Sequence, residues 1–210
     1  KQLFNLKFKT PSSSFKNMLA MMPKKYIGDL NAIKTSGDFN INGTINGILS
    51  KEKVPKFDIN FAAENAMFQY NALPKAIRNI AINTQILNTT GNLNDTKIKI
   101  HKLAFAIDKD AFETRGNIYN LLKNPKVSLS LKGNIDVGNI TKAYPSNEAK
   151  NIDGTLQVAL STAFDMESIE KENYTNIQNK GSLNLQNFSY DDAAFGTTFF
   201  IDKMSLSFDE

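Results

Sequence analysis

The stretch that decides the fold is Val127-Ser-Leu129-Ser-Leu131-Lys-Gly133-Asn-Ile135-Asp-Val137, which keeps one alternating pattern over eleven residues. A period of two puts every second side chain on the same face of a β-strand. At about 3.3 Å per residue, such a strand would be roughly 35 Å long. The stretch therefore predicts a long strand over residues 127–137, with one apolar face and one polar face.

A short motif within this stretch recurs along the chain. It consists of glycine followed by alternating polar and apolar residues. Glycine permits a bend or bulge where a strand starts, and the alternation then turns one side chain in and the next out. The repeat predicts a mostly β fold: an elongated, curved antiparallel sheet, either an open groove or sandwich-like, with one or two short helices. The copies begin at Gly37, Gly116, Gly133, Gly154 and Gly181, with weaker ones at Gly43 and Gly91.

Length and composition fit one such unit. A chain of 210 residues can bury a sizeable core as a single β-rich domain. We expect a fragment of a longer protein, with residues 1–30 as an N-terminal extension carrying a short helix and residues 31–210 as the repeated β region. The absence of cysteine excludes a disulfide framework and thiolate sites. The net charge of +4 comes from lysines spread along the chain, which is typical of a solvated surface and not of a nucleic-acid patch.

Two short helices are expected between the strands. Ser12–Ser14, followed by Phe15–Met22 and then Pro23, predicts a capped helix ended by proline. Asp165 is a candidate N-cap for a second, exposed helix that we expect to reach about Ile177.

The apolar residues between positions 98 and 107 change parity halfway. They stand at even positions up to Ile100 and at odd positions from Leu103 onward. A β-bulge at His101-Lys102 would restore a single apolar face. The segment from Ile77 to Ile86 could form a helix or a strand, and a strand from Ile80 is favoured because Ile80, Ile82, Thr84 and Ile86 share one face and the segment is rich in β-branched residues.

Residues suited to catalysis or metal binding are few. His101 is the only histidine, so neither a multi-histidine metal site nor a histidine relay can be built. The acidic pairs Asp108/Asp110 and Asp191/Asp192 lack EF-hand spacing and fall where turns are expected. We therefore expect a protein that is not an enzyme, with no catalytic residues, no metal, no cofactor and no nucleic-acid partner.

A series of short motifs stands in a fixed order between residues 30 and 192. They are Phe68-Gln-Tyr70, Leu73-Pro74, Gly91, Leu103-Ala-Phe105, Phe112, Asn124-Pro125, Gly133-x-Ile135-Asp136, Gly154-x-Leu156, Ile169-Glu-Lys-Glu-x-Tyr174 and Gly181-x-Leu183-x-Leu185-x-Asn187-Phe188-x-Tyr190. Each motif is only a strand, a turn or a short helix, but the ordered set resembles the AsmA-like family (AsmA/TamB-type outer-membrane assembly proteins) of Gram-negative Bacteroidota.

The resemblance implies a periplasmic protein involved in outer-membrane assembly, anchored in the inner membrane by an N-terminal helix outside residues 1–210. Large members of the family look like bridges whose curved β-groove conducts phospholipid. The alternating strands are compatible with this role, because an open curled sheet offers acyl chains a dry apolar wall and needs no catalytic group. The candidate lipid-binding residues are Ile98, Ile100, Leu103, Phe105, Ile107, Val127, Leu129, Leu131, Ile135, Val137, Leu156, Val158 and Leu160.

The same side chains would also fill an ordinary closed core. In that case the protein would be a structural β-rich scaffold or interaction module of the cell envelope, with sheet edges that recruit partner strands. The partner predicted by the first hypothesis is phospholipid or another acyl-chain lipid. The two hypotheses differ in whether the apolar face is open.

Overall fold

A computed structural model of the protein describes residues 1–20, 28–143, 152–192 and 196–209, and these form one antiparallel sheet of eleven strands. The strands are β1 (Gln2–Lys9), β2 (Ser13–Ser14), β3 (Ile33–Leu49), β4 (Lys56–Tyr70), β5 (Ile77–Asn88), β6 (Lys97–Ile107), β7 (Asp110–Tyr119), β8 (Lys126–Asp136), β9 (Ile152–Asp165), β10 (Gln178–Asp192) and β11 (Thr197–Asp209). The α-helices are α1 (Phe15–Ala20), α2 (Val137–Ala143) and α3 (Met166–Glu170), and single 3-10 turns lie at Leu30–Ala32, Leu93–Asp95 and Tyr174–Asn176.

The strands follow one another as a meander. From β3 to β11 each strand pairs with the next strand of the chain, while β1 and β2 pair with the outer side of β3. The sheet is open, with β1 and β11 at its two ends. The predicted mostly β, antiparallel fold is confirmed in its open form. The expected number of helices was too low, because the described residues contain three.

Strand β1 was not assigned by the sequence analysis, which expected only a helix within residues 1–30. It pairs along its whole length with Asn42–Leu49 of β3. Phe4, Leu6 and Phe8 alternate with polar residues, so a signal for this strand was present in the sequence.

The predicted strand over residues 127–137 ends one residue early, because Val137 is the first residue of α2. Polar contacts between distant residues hold this helix. The Asn139 side chain donates to the Asp110 carboxylate at 2.8 Å and accepts from the Lys75 ammonium at 2.6 Å. Alternation along one strand cannot reveal such contacts, so the change from strand to helix was missed.

The two predicted helices form, with different lengths. α1 begins at Phe15, and the predicted end at residues 21–23 lies outside the described residues. Asp165 caps α3 as predicted, because its carboxylate accepts from the Ser168 N–H at 2.9 Å. α3 nevertheless ends at Glu170, well before Ile177, since Glu172 adopts a φ of +55° that an α-helix does not contain.

The predicted bulge in β6 is confirmed. Ile100 pairs with Gly116 and Leu103 with Thr114, so three steps along β6 match two along β7. The extra residue lies at His101-Lys102 and keeps Ile100 and Leu103 on one face.

Other strands contain similar irregularities. The register shifts in β4, β5 and β10 occur at Asn65, Asn79 and Asn187, which all have a φ near +50°. Asparagine tolerates this left-handed conformation better than most residues. Because a bulge bends its strand and increases the local twist, these positions bend the sheet within the length of its strands.

All strands share one apolar face despite the bulges. Cross-strand partners lie on the same face of a sheet, so the pairing register traces that face from strand to strand. One continuous row runs through Phe39, Ala63, Ile82, Leu103, Thr114, Leu131, Leu160, Gly181 and Phe208, one residue from each of β3 to β11.

Candidate functional site

The candidate lipid-binding residues lie together on this apolar face. With the exception of Val137, which is in α2, they project from β6, β8 and β9. Cross-strand pairs such as Leu131–Leu160 and Ile135–Leu156 join β8 to β9. Strand β7 lies between β6 and β8, and its partners on the same face complete the surface: Phe112, Thr114, Gly116 and Ile118.

The sequence analysis did not include β7, β10 or β11 in the candidate site. In β7, Thr114 and Gly116 interrupt the alternation of apolar residues, which only Phe112 and Ile118 follow. β10 and β11 continue the same face beyond β9, through pairs such as Val158–Leu183 and Leu183–Leu206. The apolar face is therefore wider than the predicted set.

The exposure of these side chains distinguishes an open face from a closed core. Of the candidate residues, Ile107, Val137 and Val158 are buried, and all the others are only half-buried. On the opposite face of β8, Ser128, Ser130 and their neighbours are exposed. Residues in the core beneath α1 are more completely buried: Ala66, for example, is 0% exposed. Over β6 to β9, the described part of the chain therefore supplies no second layer.

Among the described residues, the compact core lies where α1 covers the sheet. Phe15, Met18 and Leu19 of α1 are buried against residues of β3, β4 and β5. Phe39 and Phe61 stack beneath them with ring centroids 5.5 Å apart. This end of the apolar face resembles an ordinary protein interior, whereas the β6–β9 part remains accessible.

A second cover, α2, lies where β6 and β8 end and β7 and β9 begin. Besides its contact with Asn139, Lys75 forms an ion pair with Asp108 in the β6–β7 turn. This polar cluster fixes α2 at one end of the strands. It leaves the middle of β7 and β8 uncovered.

One polar group lies within the apolar face. The Thr114 hydroxyl oxygen is buried between Leu103 and Leu131, its two cross-strand partners, and has no hydrogen-bond partner among the described residues. An unsatisfied buried hydroxyl is unfavourable. The other members of the row are apolar side chains and a glycine, so they carry no side-chain hydrogen-bonding group.

Residues suited to chemistry are not gathered into a site. His101 is exposed on the β6 bulge. Asp108 lies in a turn as predicted, but Asp191 and Asp192 belong to β10 and pair with Thr198 and Thr197, so their assignment to a turn was wrong. Within the described ranges, no group of histidine, aspartate and glutamate residues is arranged to hold a metal ion.

The polar face carries a shallow depression of about 510 Å³. Its basic residue Arg115 is already paired with Glu113 at 2.7 Å, and the depression is open to solvent. Its lining is Lys99, Ile100, His101, Arg115, Gly116, Asn117, Ser128, Leu129, Ser130 and Ser161. We assign no ligand to it.

Among the carboxylates of the described residues, Asp165 has a shifted pKa, and its role is structural. A hydrogen bond from the Asn124 side chain, followed by the one from the Ser168 N–H, holds the pKa of Asp165 below its ordinary value. Both donors stabilise the charged form at the start of α3. Asp165 is therefore the N-cap of α3.

Comparison with known proteins gives no assignment, since no family model, curated protein or solved structure matches this chain. No helix in the described residues is both long enough and apolar enough to cross a membrane. The interpretation of the site depends on its own geometry.

Proposed function

We propose that this protein is a non-enzymatic component of the cell envelope that takes part in outer-membrane assembly by holding or passing lipid acyl chains along the apolar face of its sheet. The observation that carries the proposal is the half-exposed row of apolar side chains that continues across β6, β7, β8 and β9 without a second layer in the described residues. A periplasmic location and an inner-membrane anchor outside residues 1–210 belong to the same proposal.

Simple energetics support a lipid as the occupant. Apolar surface left in water costs about 25 cal/mol per Å², and each buried methylene group contributes about 0.8 kcal/mol. An acyl chain laid on the face removes water from both surfaces at once. Because the face offers little hydrogen bonding, we expect it to accept acyl chains of different lipids without selecting a head group.

A structural scaffold is the second candidate, and the core under α1 favours it. There the alternating side chains of the strands are buried: Phe39 is 5%, Ala63 2% and Ile80 5% exposed. A protein of this kind would use its sheet edges to recruit strands of other proteins and would carry no ligand.

The two candidates are separated by a lipid-capture experiment. The protein is incubated with vesicles of phosphatidylethanolamine and phosphatidylglycerol, recovered, and examined by native mass spectrometry. We compare the wild type with Leu129→Asp/Leu131→Asp on the apolar face and with Ser128→Asp/Ser130→Asp on the polar face of the same strand. The two variants carry the same added charge, so only the face differs. We expect phospholipid adducts on the wild type and the serine variant, and none on a folded leucine variant.

A second measurement avoids any effect of added charge on folding. The photo-crosslinking residue benzoylphenylalanine is placed at position 129 or, as a control, at position 130. Crosslinks to lipid from position 129 and not from position 130 support the acyl-chain proposal. A lipid-free wild type, or equal crosslinking from both positions, would favour the scaffold instead.

A further inference from the structure

β11 is the outermost strand on one side of the described sheet. Twelve of its 13 residues pair with β10 on one side, and no described residue pairs with the other side. Three of its large apolar side chains are strongly exposed: Phe199 at 56%, Phe200 at 65% and Leu206 at 41%. The unpaired N–H and C=O groups of such an edge are a template for another strand.

β11 changes face in its middle. Tyr190 of β10, which shares the apolar face with Ile152, pairs with Phe199, whereas Leu183 on that face pairs with Leu206. The apolar face therefore uses odd positions before Asp202 and even positions after Lys203. The change occurs at Asp202, which is left out of the ladder together with Asn187 of β10 between the pairs Phe188–Ile201 and Gln186–Lys203, so the register of the two strands is kept.

This change of face makes β11 complementary to itself. When a second copy is placed by a two-fold axis perpendicular to the sheet, between positions 202 and 203, apolar residues meet apolar residues. Phe199 then faces Leu206 of the second copy, and Ile201 faces Met204 of the second copy. A strand without the change could not pair in this register, because positions 199 and 206 would lie on opposite faces.

The charges at the centre of the strand also match. In the same register Asp202 faces Lys203 of the second copy, and symmetry makes this contact twice. Neither side chain forms an ion pair within the described ranges, and both are exposed. Opposite charges directly across a strand pair are favourable, and like charges are unfavourable.

The other edge, β1, fits β11 less well. It is shorter, its charged residues Lys7 and Lys9 are both basic, and its pairing with β3 is regular, without a change of face to match the one at Asp202. A β1–β11 contact would also be heterologous and would build an open array, whereas two β11 edges close into a dimer.

We propose that two copies of this protein form a symmetric dimer by antiparallel pairing of their β11 edges, which joins the two apolar faces into one. The partner is a second copy of this chain, and the contact is independent of whether the face binds lipid.

A charge exchange tests the register. Sedimentation velocity over a range of concentrations gives the dissociation constant of the wild type, Lys203→Glu, Asp202→Lys and the double variant. Each single substitution places like charges across both central pairs, and we expect it to weaken the dimer at least about tenfold. The double variant restores opposite charges and should return to within about threefold of the wild type. Lys34→Glu, an exposed lysine of β3 opposite Gln69, carries the same charge change and should leave the dimer unaffected.

A covalent test gives an independent readout, because the chain has no cysteine. Phe200→Cys/Ser205→Cys places two thiols across the proposed pairing and should form a disulfide-linked dimer on oxidation. Phe200→Cys/Ser207→Cys has the same cysteine count and the same face but the wrong register, and should crosslink much less. A wild type that remains monomeric, single variants that dimerise as tightly as the wild type, a double variant that is not restored, or equal crosslinking of both cysteine pairs would overturn the proposal.

Discussion

Gly116 of β7 lies directly opposite Leu129 of β8, and the two strands approach so closely there that a side chain at position 116 has no room. A Cβ atom on Gly116 would lie 2.0 Å from the Ser128 carbonyl oxygen and 2.8 Å from the Leu129 Cα atom. The Leu129 side chain fills the space over the glycine, with its Cδ2 atom 2.9 Å from that position. The glycine is thus required by the fit of two strands in the middle of the apolar face.

We therefore expect Gly116→Ala to lower the free energy of unfolding by about 2–3 kcal/mol or more, measured by urea denaturation. The matched control is Gly47→Ala. Gly47 also has a positive φ, +125°, but the nearest atom to its added Cβ is 3.5 Å away. In the control, the free energy of unfolding should fall only by the cost of the strained backbone, about 1 kcal/mol. Equal losses in the two variants would show that the close contact is not the cause.

The bulge in β6 predicts an unusual tolerance to deletion. Removing His101 gives residues 98–107 an unbroken alternation and a regular register with β7, and on the β5 side it removes the shift between Asn83 and Thr84. We expect the shortened protein to fold, with a thermal midpoint lowered by only a few degrees. Removing Ser130 from β8 would instead turn every later side chain of that strand to the other face. That deletion should abolish the cooperative transition in circular dichroism, and survival of both proteins would contradict the single-face arrangement.

The cap of α3 predicts a stability difference that depends on pH. The pKa of Asp165 is held below its ordinary value in the folded state, so its charged form stabilises the fold. This contribution is complete above the unfolded-state pKa and is lost as the pH falls through the lower folded-state pKa. Asp165→Ala should therefore melt at a lower temperature than the wild type at pH 7. This gap between the two melting temperatures should narrow below about pH 4.

Thermal unfolding at neutral and acidic pH measures this gap. Glu52→Ala, which removes an exposed carboxylate in the β3–β4 turn, serves as the control and should show a small gap at both pH values. A gap for Asp165→Ala that stays constant with pH would contradict the role of its charge.

The buried hydroxyl of Thr114 predicts a stabilising substitution. Thr114→Val keeps the shape of the side chain and removes a polar atom that has no partner among the described residues. We expect the free energy of unfolding to rise by about 1 kcal/mol. Thr44→Val, at an exposed position of β3, should change it by less than about 0.5 kcal/mol. A loss of stability in Thr114→Val would mean that the hydroxyl has a partner after all.

The alternation in the sequence was enough to predict most strands, because each needs only its own residues to define a face. It was also enough for the β6 bulge, where a change of parity between Ile100 and Leu103 has one simple explanation. The change from strand to helix at Val137 could not be predicted, because it depends on Lys75 and Asp110, which are distant in sequence from Asn139.

The openness of the candidate site could not be predicted either. Phe39 and Leu131 both stand in alternating strand sequences, yet Phe39 is buried beneath α1 and Leu131 is half-exposed. The difference is set by where α1 packs after the chain folds. A period of two identifies the apolar face but does not say what lies over it.

The continuous row from Phe39 to Phe208 has a consequence for scale. It crosses nine strands, and with about 4.8 Å between neighbours it extends roughly 38 Å at right angles to the strands. This is longer than the ~30 Å hydrocarbon thickness of a bilayer, in which two acyl chains lie end to end. The row therefore becomes longer only when strands are added to the sheet. Each added hairpin extends it by about 9.6 Å, whereas longer strands leave its length unchanged.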